Sequence, residues 1–146
     1  MTRPHLTPGQ YPAIILGTLM IAFGLYTLFW PVGAIRYLDP KIAVLDPVVH
    51  PGGKPTLNIR YCKTTTLPEQ VTGTLYRAGQ TAGTLGKLDR NFPTGCPVDT
   101  TGAVWQIPAD TKPGRGYAMC FTVVYAPNAF RTITRNICTT DFEVAP

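Results

Sequence analysis

Residues Tyr11 to Trp30 read YPAIILGTLMIAFGLYTLFW, twenty consecutive positions without a charge. Wound as an α-helix at about 1.5 Å per residue, such a run reaches about 30 Å, the thickness of a bilayer's hydrocarbon core. A soluble helix of that length needs a polar face, and this one has none. Tyr11 stands at one end, and Tyr26, Phe29, Trp30 and Tyr37 cluster at the other, as aromatics of a membrane interface do. Pro12 suits a first helical turn and Pro31 ends the helix. The run predicts a transmembrane helix over 11–31, a short cytoplasmic tail at 1–10 and a juxtamembrane linker at 32–40.

A cleaved signal peptide is the competing reading, with Val32-Gly33-Ala34 as its cleavage site. Its basic region would hold only Arg3, and the apolar run is longer than the roughly 7–15 residues of a signal core. An uncleaved anchor in the lipid bilayer is therefore expected. No charged side chain lies between Arg3 and Arg36, and all eight acidic residues come after position 38. Flanking charge is nearly balanced, Arg3 against Arg36 and Lys41, which slightly favours a C-terminal part on the cytoplasmic side. The cysteines argue the opposite. Cys62, Cys96, Cys120 and Cys138 all lie beyond the helix, and an even number suits two disulfides in an oxidising compartment. The cysteines decide the expectation: N-terminus in the cytoplasm, domain outside.

From residue 41 onward the pattern changes. Pro and Gly punctuate short stretches rich in Val, Ile, Thr and aromatics, the mark of an all-β sandwich or barrel. Strands are expected at 42–49, 56–63, 70–78, 103–107, 116–125 and 130–144. Six to seven antiparallel strands over 41–146 match an immunoglobulin-like sandwich in size. Alternation puts Leu57, Ile59 and Tyr61 on one face, and Met119, Phe121 and Val123 on another inward face, with Trp105 joining the core. Cys62 and Cys120 then face outward, unlike the inter-sheet bridge of antibody domains, and the tyrosine-corner spacing is absent. Four cysteines allow three pairings. A hairpin between Tyr125 and Phe130 would run the two cysteine-bearing strands side by side, favouring Cys120–Cys138. Cys62–Cys96 remains, tying a strand end to the long central loop.

Chemistry is not visible. His50, in a Val-Val-His-Pro-Gly-Gly turn, is the one histidine beyond the helix, so neither a hydrolytic triad nor a zinc site is supplied. Glu69 and Glu143 are not placed as a glycosidase pair, the aspartates are scattered turn formers, and calcium, P-loop and dinucleotide signatures are missing. No enzyme, no metal and no cofactor are expected. The net charge of +5 comes from singly scattered basic residues, so nucleic acid is not an expected partner. Thr64-Thr65-Thr66 and the polar stretch 78–91 read as loops at strand ends, where sandwiches carry recognition.

Tyr61-Cys62-Lys63, Gly95-Cys96, the stretch from Tyr125 to Arg131 (YAPNAFR) and the ending Thr140-Asp141-Phe142-Glu143-Val144 carry a resemblance. The chain resembles uncharacterised single-pass membrane proteins of tailed bacteriophages. That resemblance implies a phage or bacterial origin and no activity. The expected function is a membrane-anchored interaction or structural module, periplasmic or built into a virion, binding a protein partner or its own copies. The alternative is a phage membrane effector acting through its helix, in lysis regulation or superinfection exclusion.

Overall fold

The computed structural model describes residues 10–29, 35–128 and 131–146. Helix α1 spans Gln10–Phe29. Its stretch Tyr11–Phe29, of mean hydropathy 1.9, is long and apolar enough to cross a membrane. Every residue of Tyr11–Phe29 is exposed except Gly24 and Thr27, which are half-buried. Its two threonines bond back to the helix: Thr18 Oγ1 donates to Ile14 O at 2.8 Å and Thr27 Oγ1 to Gly24 O at 2.9 Å. Both hydroxyls are thus satisfied within the helix, as an apolar surrounding demands. Trp30 and Pro31 lie outside the described residues, as do 1–9 and the proposed cleavage site.

Ten strands follow: β1 (Ile35–Tyr37), β2 (Ala43–Val44), β3 (Val48–Val49), β4 (Leu57–Lys63), β5 (Glu69–Arg77), β6 (Gln80–Arg90), β7 (Gly95–Gly102), β8 (Gly114–Asn128), β9 (Arg131–Cys138) and β10 (Phe142–Val144). They form two sheets. In the first, β4 has β7 on one side, and β1 and β2 in succession along the other. The second runs β3-β10-β8-β5-β6, with β9 beside the later half of β8. The sheets meet where Ile42 N donates to Cys138 O at 2.9 Å and Thr140 N to Ile42 O at 2.8 Å. Side chains from both fill one core, including Ile35, Leu57 and Tyr61 from the first and Val71, Leu75, Met119, Phe121 and Val123 from the second. Of the expected core residues, Ile59 and Trp105 are only partly buried but pack against that cluster.

Several expectations need correction. Residues 35–37, assigned to a linker, form β1, because Ile35 is buried opposite Lys63 and docks the chain directly onto the sheet. Tyr37, named among the interface aromatics, pairs with Tyr61 and is half-buried against the core. The stretch 78–91, expected as a loop, is the β5–β6 hairpin. Its two-residue turn, Ala78 at φ 48° and Gly79 at φ 79°, has the double positive φ that matches strand twist. Strand β6 was hidden because an edge strand pairs on one side only and need not alternate apolar residues. β7 escaped for the same reason. Residues 103–107 form no strand, the stretch 42–49 breaks into β2 and β3, and 130–144 breaks into β9 and β10. Not every pair is antiparallel, since β10 runs parallel to β3.

The irregular segment carrying Trp105 closes the side of the body between β6 and β7. Ile107, fully buried, exchanges hydrogen bonds with Gly52 and Gly53: Gly52 N donates to Ile107 O at 3.0 Å, and Ile107 N to Gly53 O at 2.9 Å. The Trp105 ring packs 5.2 Å from that of Phe121. Cys120 and Cys138 are direct cross-strand partners of β8 and β9, and their disulfide spans a Cα separation of 4.0 Å. Cys62 pairs with Cys96 over a Cα separation of 4.3 Å. Cys96 lies in β7 rather than in a loop, so each bridge braces neighbouring strands within one sheet.

Candidate functional site

The parity of two adjacent strands builds an unusual interior. In β4, Leu57, Ile59 and Tyr61 point inward, and Lys63 continues that series. In β5, Val71, Gly73 and Leu75 point inward, and Glu69 begins it. A cation and an anion are thus carried into the core at the same end of the two sheets. Lys63 Nζ lies 2.7 Å from Glu69 Oε1, and both side chains are 0% exposed.

Beyond Glu69 Oε1, the three hydrogens of the ammonium have three further oxygens in reach: Leu67 O at 3.0 Å, Asn91 Oδ1 at 3.1 Å and Phe92 O at 3.0 Å. Glu69 Oε2 in turn accepts from Phe92 N at 3.3 Å. Buried charges persist when paired and hydrogen-bonded, and this pair is both. Aromatic rings wall it in. Tyr61 and Phe92 meet edge to face with centroids 5.6 Å apart, and the Tyr61 hydroxyl donates to Pro93 O at 3.3 Å. Burial first, then the charge of Glu69 and the neighbouring Tyr125 and Tyr61, push the Tyr37 phenol well above its ordinary range. Burial likewise raises that of Tyr61.

This end of the body faces the helix. β1, the first strand after α1, pairs with the Lys63 end of β4. Arg131, at the start of β9, donates through Nη1 to Leu28 O at 2.7 Å, placing a positive charge on one of the open carbonyls of the helix C-terminus. Beside the buried pair, a groove of about 320 Å³ opens between Pro68, Gln70, Asp89, Val124 and Ala126.

A second concavity, of about 460 Å³, lies at the opposite end of β5. The Arg77 guanidinium stands 5.2 Å over the Tyr117 ring, and the Tyr117 hydroxyl donates to Lys112 O at 2.6 Å. Gly114, at φ 155°, leaves the space the guanidinium occupies, since a β-carbon there would collide with it. Asp110 offsets only one of the two cations, Arg77 and Lys112, so the lining is left net positive.

The residues singled out from sequence are dispersed. Tyr11, Tyr26 and Phe29 sit exposed along α1. His50 lies on the surface with Nδ1 2.9 Å from Pro146 O. Glu143 pairs with Arg115 at 2.9 Å, away from Glu69. Among the described residues no three His, Cys, Asp or Glu side chains gather as a metal site. Thr64-Thr65-Thr66 lies in the β4–β5 connection, between the two members of the buried pair. Sequence reading leaves Lys63 among the scattered basic residues and Glu69 as half of a rejected glycosidase pair, so it does not bring the two together. The signal was present, since each sits two residues from an inward apolar side chain in its own strand. No protein-family model matches this chain, and comparison with curated proteins finds no match.

Proposed function

We propose that the chain is a single-pass membrane protein whose helix holds an immunoglobulin-like, disulfide-braced sandwich against the outer side of the membrane. There the sandwich serves as a binding or structural module without turnover chemistry. One observation carries the reading: α1 presents an apolar surface on all sides, with both threonine hydroxyls bonded internally, while β1 begins within six residues of its end. A helix with no polar face needs lipid around it. The two disulfides support an oxidising compartment for the body, and with it the proposal of a cytoplasmic N-terminus. Tailed-phage or bacterial origin, a periplasmic or virion setting, and a partner that is another protein or a second copy complete the proposal.

The test uses the full chain in a bacterial membrane. The product should resist alkaline carbonate extraction, and a C-terminal alkaline phosphatase fusion should be active while an N-terminal one is not. Crosslinking in intact cells should then trap the body with a protein partner or with itself. A carbonate-soluble product, or one active only as the N-terminal fusion, would overturn the reading.

A further inference from the structure

The buried cluster at the helix-side end exceeds what a structural ion pair requires. It holds an amine, a carboxamide and a carboxylate within reach of one another: Lys63 Nζ is 3.1 Å from Asn91 Oδ1 and 2.7 Å from Glu69 Oε1. An amide carbon is one bond from its oxygen, so the amine stands close to attack distance. A carboxylate within hydrogen-bond range of the attacking nitrogen is a proton acceptor in position. The side chains of Lys63 and Glu69 are shut off from solvent, which suppresses competing hydrolysis. Asn91 is itself exposed, which leaves a small leaving group a way out.

We propose that Lys63 and Asn91 form an intramolecular isopeptide bond, with Glu69 as the proton-transferring residue. Lys63 gives a proton to Glu69, and its Nζ attacks Asn91 Cγ. The Cγ–Nδ2 bond breaks as the new Cγ–Nζ bond becomes an amide. Of the three protons on Nζ, one stays on the amide nitrogen, one passes to Nδ2, which departs as ammonia, and one remains on Glu69. A neutral Glu69 suits the product, because the cation that had balanced it is gone. No oxidant, metal or second substrate is needed. The bond would tie β4 to the end of β6, across the two sheets, next to the Cys62–Cys96 bridge. It is a single event within one chain and does not depend on the membrane reading.

Full-length protein purified in mild detergent is reduced, alkylated, digested with trypsin and read by mass spectrometry. The expected product is a branched peptide joining segment 61–77 to segment 91–115, lighter than the sum of its parts by one ammonia. Asn91→Ala, on the exposed side of the cluster, and Glu69→Gln should both give separate segments with cleavage restored after Lys63. Formation of both disulfides, checked before reduction, shows that each variant has folded. Wild-type protein that cleaves normally after Lys63 and retains Asn91, or carries aspartate there, would overturn the proposal. So would a folded Glu69→Gln protein that crosslinks as well as wild type.

Discussion

The indole of Trp105 lies over Gly73: a β-carbon built on that glycine would stand 3.1 Å from Cζ3 of the ring and 3.0 Å from Cβ of Leu85. Gly73 is an inward position of β5, so its missing side chain is the space into which the covering segment inserts. Gly73→Val should cost about 1–3 kcal/mol, since the overpacked ring must move outward. In a Trp30→Phe background, which leaves Trp105 as the sole tryptophan, its emission should shift to the red. An unchanged spectrum and midpoint would show that the ring does not occupy this space.

The β5–β6 turn holds a residue ill-suited to its backbone. Ala78 has φ 48°, where an L side chain is strained and Asn is tolerated. Ala78→Asn, which makes an Asn-Gly turn with Gly79, should raise stability by about 0.5–1 kcal/mol in urea unfolding. A loss of stability would exclude this turn geometry.

The two bridges should differ modestly in worth. Cys62–Cys96 encloses a sequence separation of 34 and Cys120–Cys138 one of 18. Loop-closure entropy gives about 4 kcal/mol for the longer and about 3 kcal/mol for the shorter. Paired serine substitutions, compared by thermal unfolding in detergent, check the order. Mapping of the wild-type protein without reduction should recover these two links and neither crossed pairing.

Tyr37 makes stability fall at alkaline pH. Its phenol in the unfolded chain loses its proton near pH 10, whereas burial, with the nearby charge of Glu69, raises the folded value well above that. Below about pH 10 both states hold the proton and the contribution is complete. Above it the unfolded state ionises first, and stability declines by about 1.4 kcal/mol per pH unit. Tyr61 is shifted in the same direction by burial. Tyr37→Phe should therefore flatten the alkaline decline, and the double variant with Tyr61→Phe should flatten it further. An unchanged slope in both would place these phenols in solvent.

Met20, midway along α1 and 69% exposed, reports on the surroundings of the helix. Met20→Arg should weaken insertion by about 2.5–3.5 kcal/mol, the cost of a central charge in a bilayer. The carbonate-resistant fraction should drop accordingly, and a helix that lies in water would tolerate the change.

Much of the fold could be read from particular residues. The alternation through Tyr117, Met119, Phe121, Val123 and Tyr125 matches the buried face of β8. The pairing of Cys120 with Cys138 is the one expected, but its register comes from β8 running on to Asn128, opposite Arg131, and from a shift between Tyr125 and Asn128. The same parity rule, carried one step further along β4 and β5, reaches Lys63 and Glu69. It was stopped there by the ordinary expectation that charges face water.

What the chain determined alone is whatever depends on local composition. A charge-free run long enough to span lipid makes α1, and period-two alternation assigns the faces of strands buried on one side. Tertiary structure decided the rest. Strands β6 and β7 exist because β5 and β4 offer them backbone partners, which a polar, Gly-rich stretch cannot announce by itself. Tyr37 packs against the core because β1 docks on β4, and Lys63 entered the core because Glu69, Asn91 and two backbone carbonyls converge from other segments to receive its charge. Such partners come together only when the sheets pack, since hydrogen bonds and ion pairs act at distances in space, not at spacings along the chain.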